Sequence, residues 1–333
     1  MLDLRNSILA TLAYYDIFEY PLTAVEIHKY LINPARLDRA VVGVPEISLG
    51  QVANEIYRLA EGGRIVGVLG FYGLDQRTGA VVTERLERQK IAEKKYKKLL
   101  RLARWFQLVP FVRGMFVSGS LALDNSAPGG DFDIFTVVKA GHLYTTRILL
   151  LCVATLLRVR RTRHDEEAPD KFCFNHYIGD DQLALEHASI YTAHTYAQLI
   201  PIFMQNQSDE AFFSANSWIN KYLFNFKPSE RSLRRKVPHA RMRLAIARGL
   251  EFLLNTSAGE EVERLAKSYQ QARIKKNPVT NETGGRIIFT DSHLELHPRS
   301  FETVVIRRYN EALGRLGIAA PAQEQDSGLR MSV

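Results

Sequence analysis

The chain has 333 residues, 46% of them apolar, and carries 44 Lys+Arg against 36 Asp+Glu for a formal charge of +8. That length suits about two to three domains, and that apolar share excludes global disorder. The two cysteines, Cys152 and Cys173, each sit in an apolar run, which excludes a disulfide framework and suits buried thiols in a reducing compartment.

In chain order, residues 5–15 read as a helix, with Ile8, Leu9, Leu12 and Tyr15 at helical spacing. Asp3 and the lack of a small-residue cleavage pattern argue against a secretory signal. Pro21 then breaks the chain, and Thr23 and Glu26 are spaced for a reciprocal capping box on a second helix. After a loop with Pro34, Gly43 and Pro45, Ser48 starts a third helix that ends at Gly62 and Gly63. The stretch "RIVGVLGFYGL" reads as a short hairpin. Three helices and a hairpin over 1–82 predict a winged helix-turn-helix, a module that can contact nucleic acid. Gln51, Asn54, Arg58 and Arg64 are few contacts for reading DNA, so a docking role for the module is the competing expectation.

A basic helix follows within 83–108. Its lysines and arginines are either a solvated face or a track for phosphates. From 109 to 188 come a strand near 114–118, a small-residue turn, a loop "NSAPGG", a strand at 131–138, a helix at 142–159 and a strand at 171–178. The most apolar run, 148–157, is too short to cross a bilayer and is bordered by Arg147 and Arg158. A cytoplasmic protein without a membrane partner is therefore expected. Residues 189–320 read as mainly helical, at 189–204, 209–223, 239–254, 258–272 and 300–315, with a hairpin "RIIFTDSHLELH". The tail 321–333 reads as flexible.

The stretch "FVSGSLALDNSAPGGDFDIF" carries the chemistry. Strand side chains alternate, so Asp131 and Asp133 project to one side while Phe132 and Ile134 enter the core. Two carboxylates this close stay ionised only if a cation lies between them or one pKa rises. Mg2+ meets that need, because it takes carboxylate oxygens together with nucleotide phosphate oxygens. Gly119 lets backbone approach a phosphate, and the Ser120 hydroxyl can donate to it. A phosphate cradle facing a metal pair is an arrangement for nucleotidyl transfer.

These residues resemble the signature of the DNA polymerase beta-type nucleotidyltransferase superfamily: a hydrophobic residue, a Gly-Ser pair, a gap of ten and Asp-x-Asp between hydrophobics. The resemblance implies that Gly119 and Ser120 hold a triphosphate and that Asp131 and Asp133 are catalytic and bind magnesium, in a one-ion or two-ion site. The order of winged helix, core and helical tail, with "NHYI", "YTAH", "NSWI" and "LELHP", is also similar to bacterial nucleotidyltransferase-domain proteins. The expected fold is thus α+β: a small mixed sheet flanked by helices as nucleotidyltransferase core, an N-terminal winged helix and a C-terminal helical domain. Arg147 is a further candidate for the nucleotide, because a guanidinium suits triphosphate oxygens.

Active members add a third carboxylate on a following strand. Here that strand is "DKFCFNHYI", and the matching position holds Asn175. An amide is neither a base nor an anion. Asp165, Glu166, Glu167, Asp170, Asp180 and Asp181 flank the strand as substitutes, with Asp291 more remote, while His176 reads as a hydrogen-bonded strand histidine. Arg158, Arg160, Arg161, Arg163 and the run 234–243 are either polyanion contacts or solvated helix ends. Three functions remain: Mg-dependent transfer of a nucleoside monophosphate from ATP or another nucleoside triphosphate to an unknown acceptor, a catalytically silent nucleotide-binding or DNA-binding regulator, or a scaffold whose modules only mediate protein contacts.

Overall fold

In the computed structural model the described residues are 4–38, 45–162, 165, 167–205, 208–228, 235–282, 284–298 and 300–321. Gly43, Arg163, Glu166, Arg234 and the tail beyond Pro321 lie outside them. The protein is α+β, with a mixed six-stranded sheet and a small antiparallel sheet. Among the described residues no helix is long and apolar enough to cross a membrane.

The N-terminal third begins with α1 (Leu4–Asp16). Its stretch from Ser7 to Tyr15 is buried on every side, more than its helical spacing alone predicts. The reason is tertiary: Tyr14 stacks on His194 at 3.8 Å and meets Tyr309 edge-on at 5.8 Å, so later parts of the chain cover the side that would face water. Burying Ile8, Leu9 and Leu12 contributes roughly 1.5–3 kcal/mol each. The capping boxes form as expected, Thr23 with Glu26 on α2 (Ala24–Lys29) and Ser48 with Gln51 on α4 (Leu49–Glu61). Between them lies the single turn α3 (Pro34–Leu37). β1 (Leu22–Thr23), β2 (Val66–Val68) and β3 (Phe71–Gly73) form the small sheet in the order β1-β3-β2.

The long helix α5 (Thr78–Ala103) is less of an open basic track than its composition suggests. Arg85 is buried between the rings of Tyr20 and Phe71 and paired with Glu26. Lys95 is buried too, and donates to Gly130 O at 2.7 Å and to Asp170 Oδ1 at 2.8 Å. Arg88, Lys90 and Lys97 pair with glutamates one turn away on the same helix.

The main sheet is built from β4 (Val112–Val117), β5 (Phe132–Val138), β6 (Phe172–Gly179), β7 (Ile200–Met204), β8 (Arg286–Phe289) and β9 (His293–His297), in the order β7-β4-β5-β6-β9-β8. Only β5 and β6 run parallel. Their connection carries α7 (Leu143–Leu156), as a parallel crossover requires. One face packs on α5, α7 and α11 (Ser257–Lys275) through Phe132, Ile134, Phe174 and Tyr177. The other packs on α1, α8 (Ile190–Ala197), α9 (Ser208–Ala215) and α12 (Glu302–Arg315) through Phe116, Phe135 and Val137.

The region after 188 departs from the expected helical domain. The helix expected at 189–204 stops at Ala197, and "IPIFM" becomes β7 beside β4. Pro201 cannot continue a helix, and Ile200, Ile202 and Phe203 fill a site buried on both sides of the sheet. The hairpin β8–β9 forms as expected but continues the core sheet beyond β6, so a boundary at 188 cuts through one sheet. The remaining helix, α10 (Arg241–Leu254), lies within its expected span.

His194 gives this packing a pH signature. It is 1% exposed, shares a hydrogen between Nδ1 and Tyr15 Oη at 3.1 Å, and its Nε2 has no hydrogen-bond partner among the described residues. Burial holds the imidazole down at about 3, against an ordinary 6.5. Below pH 6.5 the unfolded chain therefore takes up a proton that the folded one refuses, and stability falls by roughly 1.4 kcal/mol per pH unit from this residue until the lower value is reached. Burial lowers His142, His176, His293 and His297 as well. Urea unfolding should give a plateau above pH 6.5 and a steep loss below it, and His194→Gln should make that loss shallower.

Candidate active site

The turn after β4 and the first residues of β5 meet at one edge of the sheet face that α8 covers. Burial along β5 alternates: Phe132 and Ile134 are fully buried, while Asp131 and Asp133 are half-buried on the other side. The turn enters α6 (Gly119–Ala122) with Gly119 at φ +64, a left-handed conformation that other residues adopt only with strain. A Cβ on Gly119 would lie 2.6 Å from Asp133 Oδ2. The missing side chain is thus what lets the turn sit directly on the carboxylate. Ser118 N donates to Asp133 O at 3.0 Å, which fixes turn and strand together. Ser120 is exposed beside Gly119, its Oγ 3.4 Å from Ser126 Oγ.

Carboxylate oxygens of Asp131 and Asp133 and the sulfur of Cys173 all lie within 4.8 Å of one another. Arg161 donates from Nη1 to Asp131 Oδ2. Asn175 Nδ2 donates to Asp133 Oδ1 at 3.4 Å. Burial first, and then the Asp131 charge, push Asp133 up to about 7, against the opposing pull of Arg161, Cys173 and Asn175. Burial and the two carboxylates push the Cys173 thiol well above its ordinary range. Cys173 is therefore a neutral hydrogen-bonding neighbour, not a thiolate. The parallel register explains the grouping, because Asp133 is opposite Cys173. It then shifts between Ile134 and Phe135, where Asn175 is the extra residue of a bulge.

The predicted residues do not all converge. Gly119, Ser120, Asp131, Asp133 and Asn175 come together. Arg147 does not: it projects from α7 on the opposite face of the sheet, near Tyr177, and donates to Gln270 Oε1 at 2.6 Å. The nucleotide role expected for Arg147 is corrected on that ground. Arg161, read from sequence only as one of a cluster after a helix, is the arginine that reaches the acidic pair. Its backbone N bonds Phe172 O at 3.1 Å, so a stretch that looks like a helix tail is held against the start of β6. No local pattern separates Arg161 from Arg158 or Arg160.

Four of the substitute acids are engaged elsewhere. Asp170 pairs with Lys95 and Lys98, Asp165 with Lys171, and Asp291 with Lys267. Asp180 Oδ1 accepts from Ala140 N at 2.8 Å. Among the described residues the third potential ligand atom beside the two acids is the Cys173 sulfur, not an oxygen. The expectation of buried thiols also changes, because Cys152 is exposed and Cys173 is half-buried.

A second polar group, His176, Glu295 and His297, lies further along the same face. His176 Nε2 is 3.0 Å from His293 Nε2, as a hydrogen-bonded strand histidine. Arg286 bonds Glu295 at 2.7 Å and Glu302 at 3.0 Å, and so supplies the positive charge there. The acidic pair is different: Arg161 is bound to Asp131, yet Asp133 is still pushed upward. The two carboxylates beside the Gly119 turn are hard oxygen ligands of the kind magnesium takes, and the neutral Cys173 thiol is not. Comparison with protein-family models, curated proteins and solved structures finds no match to the chain.

Proposed function

We propose that the protein is a nucleotidyltransferase of the DNA polymerase beta type, transferring a nucleoside monophosphate from a nucleoside triphosphate to an acceptor hydroxyl and releasing pyrophosphate. The observation that carries the reading is the contact of the Gly119 turn with Asp133, beside Asp131 on the same face. In that reading the core is the sheet β4–β5–β6 with α6 and α7, and residues 1–82 are a winged helix-turn-helix. The helices α1, α2 and α4 with the small sheet support the latter. A DNA contact is less favoured, because α4 offers few polar or basic groups and one of them, Gln51, is taken up in the capping box with Ser48.

Gly119 would admit the triphosphate to the backbone, and Ser120 Oγ would donate to it. Arg161 would hold Asp131 in place. Asp131 and Asp133 would hold Mg2+, which when bound neutralises the developing charge on the phosphates. The bond from acceptor oxygen to α-phosphorus would form as the bond from that phosphorus to the β-phosphate bridging oxygen breaks, pyrophosphate leaving with that oxygen and the acceptor's proton passing to solvent. Calorimetric titration with the four nucleoside triphosphates, with and without magnesium, tests the binding; pyrophosphate release across acceptor classes tests the transfer. Absence of metal-dependent binding with every nucleotide would overturn the reading.

Asn175 favours a second reading, in which nucleotide is bound without turnover. Asn175→Asp separates the two. Without magnesium the new carboxylate adds repulsion next to Asp133 and should lower the melting temperature by a few degrees, a change worth about 1–2 kcal/mol. Magnesium should restore the loss. A turnover rising about tenfold or more marks an enzyme slowed by its amide, whereas tighter metal binding with no turnover marks a silent site.

A further inference from the structure

We propose that the cavity between α7, α11 and the β8–β9 hairpin is a binding site for an organic anion with an apolar body, its phosphate or carboxylate head held by Arg147, Arg160 and Arg273. The cavity measures about 780 Å³, the size of a small-molecule site. Its walls include Leu151, Ile287 and Leu296 as well as the three arginines. Leu296 neighbours Glu295 along β9 and so projects to the opposite side of the sheet from the polar face that carries the acidic pair. This site is therefore separate from the proposed transfer site and does not depend on it.

The arginines are the reason for expecting an anion. Arg113, Arg161, Arg235 and Arg286 each have a carboxylate partner. Among the described residues Arg147, Arg160 and Arg273 have none within 4.0 Å. Among the described residues the buried Nε of Arg147 has no full hydrogen bond, only the nearby Tyr177 hydroxyl, while Nη1 donates to Gln270 Oε1 at 2.6 Å. Gln270 is itself fixed, since its Nε2 donates to Tyr144 O at 2.9 Å. The guanidinium is thus aimed by a rigid amide and left with unused donors. Arg160 and Arg273, exposed at the mouth, add charge of the same sign and, after burial, oppose the protonated form of Arg147. Three guanidinium groups line this one cavity, and Arg160 and Arg273 repel Arg147; an anion offsets that repulsion, and the fork of a guanidinium matches phosphate or carboxylate oxygens. A bare inorganic ion would satisfy the head of the site and leave its apolar walls wet, so an amphipathic ligand fits both parts.

Calorimetric titration of the full chain with octyl phosphate and octanoate, with octan-1-ol and inorganic phosphate as controls, tests the site. One amphiphile should bind at one per chain, at least about tenfold tighter than either control, and the preferred head identifies phosphate or carboxylate. Arg147→Gln should weaken it about tenfold or more. The exposed pair Arg160→Gln and Arg273→Gln, which leaves the interior untouched, should together weaken it by about the same factor. Asp133→Asn should leave this affinity unchanged even where it abolishes nucleotide binding. Lack of saturable binding by both amphiphiles, octan-1-ol binding as tightly, or an affinity indifferent to the Arg160/Arg273 pair would each overturn the proposal.

Discussion

Asp133→Asn is expected to remove magnesium-dependent nucleotide binding while leaving the fold as stable as before, or more so. The two effects share one cause. Asp133 is half-buried beside Asp131, and the loss of solvent together with that charge pushes its carboxyl up to about 7. In the metal-free protein this group is a liability, and the neutral amide removes the repulsion without changing shape. With nucleotide and metal present the same charge is what the site uses. Magnesium should tighten nucleotide binding to the natural protein by about 100-fold, near 2.7 kcal/mol, and that tightening should vanish in the variant. Calorimetry with and without magnesium reads the first effect, and thermal melting in a chelator reads the second. A melting temperature several degrees lower in the variant would show that the carboxylate is structural, and would remove the reason for placing a cation there.

Gly119→Ala is expected to act on stability and binding at once. The residue sits at φ +64, where an L side chain is strained by about 1–2 kcal/mol. The new methyl would stand 2.6 Å from Asp133 Oδ2, too close to remain. Either the turn lifts away or the carboxylate rotates, and each separates the phosphate cradle from the acidic pair. A drop of several degrees in melting temperature should accompany loss of nearly all nucleotide affinity. Ser120→Ala is the matched control: it removes one exposed hydroxyl, should leave the melting temperature unchanged, and should weaken nucleotide binding only about threefold to tenfold. Equal behaviour of the two variants would mean that the close approach at Gly119 has no part in binding.

Much of the local structure was legible because local rules govern it. Thr23 with Glu26 and Ser48 with Gln51 are capping boxes in the sequence and in the fold. The alternation around Asp131 and Asp133 is a strand property, and the strand is there. The failures have one character. Residues 200–204 read as helix but pair as a strand, and α1 is buried beyond what its spacing implies, because the surroundings of both come from distant segments. The basic helix α5 looked like a free charged surface, yet the partners of Lys95 and Arg85 are 35 and 59 or more residues away.

The amino-acid order by itself determined where the strands and turns of 112–138 fall, that Gly119 precedes two acids on one strand face, and that the next strand offers an amide at Asn175. These follow from backbone geometry over a few residues. Only the tertiary structure decided which arginine serves the acidic pair: Arg161 rather than Arg147. A helix across the sheet points Arg147 to the opposite face, while backbone hydrogen bonds to β6 carry Arg161 around to Asp131. Charge acts through space, and the distances between charged groups are set by how sheet and helices stack, which no short stretch of the chain contains.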